Sequence, residues 1–95
     1  MTTTELITRY FDNHAGKSAY IDTQLRLVEQ AINDSARCLE RKDTEFGIVN
    51  LAVARIIITK IIETITPFSA SLRDELVEIY LSANNAICDV QNIKF

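Results

Sequence analysis

Few residues in this chain are equipped for chemistry. His14 is the single histidine, and Cys38 and Cys88, the two cysteines, stand far apart and in no metal-ligand spacing. A di-iron bundle would need paired Glu-x-x-His motifs, and the sequence has none. Carboxylate pairs such as Asp74 with Glu75, or Glu40 with Asp43, fall near expected helix ends, where solvation and the helix dipole account for them. No catalytic, metal-binding or cofactor-binding residue is nominated, so the expectation is a protein that is not an enzyme and carries no cofactor. The two thiols read as reduced, buried side chains. Arg55 and Lys60 interrupt the most apolar stretch. Each can lay its methylenes on apolar surface and send its head to water; alternatively Arg55 meets a carboxylate, either internal (Glu29 or Glu78) or a partner's.

Composition narrows the partners. The 95 residues suit one domain with a single modest core, and an apolar content of 47% beside 24% charged residues is too hydrophobic for disorder. A net charge of −3 and a pI near 5.0 disfavour nucleic acid, whose phosphates require a basic surface. The start, MTTTELITRYF, lacks a basic segment followed by an apolar run, so no secretory signal is expected and the reading is cytoplasmic. The longest apolar window is broken by Arg55 and Lys60 and falls short of the ~20 residues of a membrane span, so no membrane partner is expected.

The elements that must position these side chains all read as helices. Thr2 and Glu5 have capping-box spacing, and Leu6, Ile7, Tyr10 and Phe11 share a face, giving a first helix over 3–14 that stops near Gly16. Ser18 caps a second over 18–41, with Ile21, Leu25, Val28, Ile32, Ser35 and Leu39 recurring at steps of four and three. Asp43 or Thr44 caps a third over 44–66. Its run Ile56, Ile57, Ile58, Thr59 would suit a strand, but about twenty residues without a turn signal decide for helix. Pro67 ends it, and Ser71 with Asp74 at capping-box spacing restarts a fourth helix over 70–91, with Leu72, Leu76, Ile79, Ala83, Ile87 and Val90 as its seam. Three long helices, a short one and connections of a few residues predict an all-α, antiparallel up-and-down bundle in one domain, 1–95.

The third helix carries more apolar surface than two neighbours cover: Val49, Leu51, Val53, Ile57, Ile58, Ile61, Ile62 and Ile65 spread over most of its circumference. Either the first helix covers the surplus or another polypeptide does. Leu6, Ile7, Tyr10 and Phe11 form a compact patch that suits core packing or reversible docking into a groove. The candidate protein-binding residues are therefore Leu6, Ile7, Tyr10, Phe11, Val53, Arg55, Ile57, Ile61 and Tyr80. The partner is a helical or disordered protein segment, or a second copy in a homodimer.

From Val28 onward, VEQAINDSARCLERKD, LAVARIIITKIIETI and LRDELVEIYLSANNAI resemble in order the flagellar export chaperones that bind flagellin. That family has a helix ending in an acidic turn, a helix of Ala and Ile pairs, and a helix with a Leu-Tyr element, similar to Ile79-Tyr80, followed by an Asn. Departures are the missing Ser-Pro before the second helix and Arg26-Leu27-Val28-Glu29 where a Leu-Tyr-Asp-Gly type sequence is expected. The resemblance implies a chaperone that holds an aggregation-prone helical partner in its bundle grooves until export.

Overall fold

The computed structural model describes residues 2–14, 16–65 and 70–92. Within them the chain forms four helices, α1 (Thr3–His14), α2 (Ala19–Glu40), α3 (Thr44–Ile65) and α4 (Ala70–Gln91), and no strand. The fold is the all-α bundle expected. Pro67 and the residues after Asn92 lie outside the described segments.

Local chemistry sets the helix ends. At α1 the capping box is reciprocal: the Glu5 amide donates to Thr2 Oγ1 at 3.1 Å, and the Thr2 amide to Glu5 Oε1 at 3.4 Å. Ser18, in extended conformation, accepts the Ile21 amide and starts α2. Gly16, at φ +84°, supplies the left-handed residue that turns the chain between α1 and α2, and its amide donates to Asp22 Oδ2 at 2.8 Å. The end of α2 is a Schellman closure: the Asp43 amide reaches Cys38 O at 2.8 Å and the Lys42 amide reaches Leu39 O at 2.9 Å. Lys42 holds the left-handed position, φ 61°, where glycine is usual. Asp43 then caps α3 by accepting the Phe46 amide. Because α4 already begins at Ala70, Ser71 lies inside it and is not its cap.

The molecule measures 44 × 20 × 19 Å, one long helix in length and two helix diameters in each other direction. Each helix packs on its neighbours around a square: α1 on α2, α2 on α3, α3 on α4, and α4 back on α1, so that α1 and α3 are diagonal. Thr3 meets Ser82, Arg9 meets Glu78 and His14 meets Glu75, which makes α1 and α4 antiparallel. The α2–α3 hairpin is drawn tight where Ser35 Oγ donates to the Gly47 carbonyl at 2.8 Å, both residues buried. A Cβ on Gly47 would stand 2.8 Å from Leu39 Cδ2, so glycine permits this approach.

The core divides where α1 stops. Around α1, its Leu6, Ile7 and Tyr10 interlock with Leu25, Val28, Ile58, Ile61, Leu76 and Ile79 in one buried cluster. Beyond its N-terminus lies a smaller apolar cluster of Leu51, Ile87 and Val90, flanked by half-covered Ile32, Leu39, Ile48 and Ala86.

Candidate functional site

At 12 residues, α1 is ten residues shorter than the other helices, about 15 Å of missing helix at ~1.5 Å per residue. The quarter of the bundle it leaves empty is an open groove of about 950 Å³ between α2 and α4. Ile32, Leu51 and Ala86 supply apolar lining, and Glu5, Glu78 and Asp89 supply carboxylates. A shallower apolar groove of about 300 Å³ runs between α3 and α4, lined by Ile62, Val77, Tyr80 and Leu81 among others.

The residues singled out from sequence separate into two sets. Leu6, Ile7, Tyr10 and Ile61 are buried in the core, with Leu6 also touching the large groove; their surface is spent inside the fold. The reason is that α1 inserts its apolar face between α2 and α4 and meets the inner face of α3. Phe11 is half-buried, edge-on to Tyr10 and stacked under the Arg26 guanidinium at 5.0 Å. Ile57 and Tyr80 are half-covered, and Val53 is exposed. Arg55 donates to Asn84 Oδ1 at 2.9 Å, not to Glu29 or Glu78, because antiparallel packing sets it level with Asn84; Glu78 pairs with Arg9 at 2.6 Å. Other exposed large apolar residues are Tyr20, Leu27, Phe46, Val49, Ile56 and Leu81. On α3, Phe46, Val49 and Ile56 are exposed because α2 and α4 cover only its other side and α1 stands diagonal to it.

Polar groups gather where α1 ends. His14 Nε2 lies 3.0 Å from a Glu75 carboxylate oxygen, and the His14 ring sits 5.0 Å from the Tyr10 ring. Tyr10 is pushed above its ordinary pKa of 10, first by burial and then by the nearby Asp22 and Glu75 carboxylates. His14 Nδ1 and Asp22 Oδ1 are buried without hydrogen-bond partners. Among the described residues no group of three or more His, Cys, Asp or Glu is placed to hold a metal ion. Cys38 is buried and takes a weak hydrogen bond from Asn50 Nδ2 at 3.7 Å. Cys88, expected inside, is exposed: it falls on the face of α4 away from the seam of Ile79, Ala83, Ile87 and Val90. No helix among the described residues is long and apolar enough to cross a membrane.

No family model, curated protein or solved structure matches this chain. The grooves and exposed faces themselves must carry the functional argument.

Proposed function

We propose that the protein is a non-enzymatic binding module that takes an amphipathic helix of another protein into the groove beyond α1, as an adaptor or an export-chaperone-like holder would. The carrying observation is geometric. Three helices run the length of the bundle, the fourth stops half-way, and the vacant corner is an open groove of about 950 Å³ lined by Ile32, Leu51 and Ala86 beside polar residues. A partner helix there would cover Ile32, Leu51 and Ala86 and complete the four-helix layer. The carboxylates of Glu5 and Asp89 favour a helix with basic residues flanking its apolar stripe. The resemblance to flagellin-binding chaperones points the same way, toward helix capture in bundle grooves.

A fluorescein-labelled 18-residue leucine/lysine amphipathic peptide tests this by anisotropy. Saturable binding that weakens with added salt, and that Asp89→Lys and Ala86→Arg each reduce while the helical circular dichroism is retained, is expected. Equal binding of a leucine/glutamate peptide with the same apolar stripe would remove the acidic rim from the argument. Failure of both peptides to bind would overturn the reading.

A further inference from the structure

Away from that groove, the outward side of α3 carries Phe46, Val49, Val53 and Ile56, exposed by 59, 49, 42 and 55%. They recur at steps of three, four and three, on the side opposite the buried seam of Gly47, Leu51, Ala54, Ile58 and Ile61. Four large apolar side chains in one helical line form a continuous strip, which solvent alone disfavours. Charges bracket it in a definite order. Lys42 and Glu45 stand at its N-terminal end, Lys60 and Glu63 at its C-terminal end.

We propose that this strip pairs with the same strip of a second copy of the chain, antiparallel, about a twofold axis passing between Ala52 and Val53. In that register Val49 faces Ile56 of the second copy. Lys60 faces Glu45 of the second copy and Glu63 faces its Lys42, so both ends of the strip become charge-matched four times over by symmetry. A parallel pairing would instead stack Lys60 on Lys60 and Glu63 on Glu63. The charge order is self-complementary in one direction only, and that selects a second copy over an unrelated helix. The apolar strip runs about 15 Å from Phe46 to Ile56, and about 27 Å from Glu45 to Glu63 with its flanking charges, at ~1.5 Å per residue; at about 10 Å wide it buries on the order of 500 Å² over both copies, below the size of stable specific interfaces. The dimer is therefore expected to be reversible, with the groove beyond α1 left open on the opposite corner of each copy.

Sedimentation equilibrium of the full chain from about 1 to 500 µM is the experiment. Mass should rise with concentration from 10.8 kDa toward twice that value. Ile56→Asp should stay monomeric with unchanged circular dichroism, since the residue is exposed. Lys60→Glu alone, or Glu45→Lys alone, should weaken association by about tenfold, and the two changes in one chain should restore it. A chain that stays monomeric throughout, a dimer indifferent to Ile56→Asp, or single charge reversals that the double reversal fails to rescue would each overturn the proposal.

Discussion

Replacing Ile7 with alanine probes whether α1 belongs to the core or is an appended arm. Ile7 is completely buried and sits in the same cluster as Ile58, Ile61 and Leu76. The substitution removes three carbon atoms, at about 0.8 kcal/mol each, and the incompletely collapsed cavity adds to that. The expected loss is about 3 kcal/mol, inside the range for isoleucine-to-alanine core changes. A chain of this size has roughly 5–15 kcal/mol of total stability, so the loss is large but leaves the fold intact. With a urea dependence of about 1.5 kcal/mol per molar, the unfolding midpoint should fall by about 2 M. Ile56→Ala, on the exposed side of α3, is the control and should shift stability by less than about 0.5 kcal/mol. Circular dichroism and tyrosine fluorescence followed together should give one coincident transition for both variants, measured at a concentration low enough to keep the chain monomeric. A shift under about 0.5 M for Ile7→Ala, or an early separate transition confined to α1, would show that α1 is not part of a shared core and refute the packing argument.

Other perturbations probe individual joints. Lys42→Gly relieves a left-handed backbone position occupied by a side-chain-bearing residue and should raise stability by about 0.5–1 kcal/mol in thermal melts; a decrease would show that the Lys42 side chain contributes more than its backbone costs. Ser35→Ala deletes the buried hydrogen bond to the Gly47 carbonyl and should cost about 1 kcal/mol in urea titrations. Tyr10 binds its proton more tightly in the folded state than when unfolded. Its contribution is therefore fully present below pH 10 and is lost as pH rises through the raised folded value. Tyr10→Phe should remove that part of the alkaline loss, and an alkaline profile identical to the parent would contradict the assignment.

The helices were legible because their signals are local. Ser18 and the Thr2–Glu5 pair act on amides three residues away, and the four-three seams of α2 and α4 describe the faces that are buried. Length alone decided the β-branched run of Ile56 to Thr59 for helix. The side of α3 that faces water was not legible, because a helix apolar around most of its circumference has no face that periodicity marks as inner. Only the diagonal placement of α1, fixed by contacts to α2 and α4, settles that Ile58 and Ile61 point inward while Val53 and Ile56 point out. The same ambiguity left Ile61 among the binding candidates, whereas Leu6, Ile7 and Tyr10 stand on one marked face of α1 that suits either the core or a partner, and packing buries all four. Lys42 in a glycine-type position and Asn84 as the partner of Arg55 depend on how helices align in space, which composition does not encode.

The ring of helices closes through contacts such as Thr3 to Ser82, 79 positions apart, whereas α2 and α3 are joined by three residues. During synthesis the two hairpins α2–α3 and α3–α4 can each form as soon as their own residues are available. The α1 helix can meet α2 early, but its other neighbour waits until α4 is made, roughly 4–16 s separating Thr3 from Ser82 at ordinary elongation rates. For that interval the side of α1 that packs on α4 is uncovered. The packing of α1 is thus completed only when α4 closes the ring.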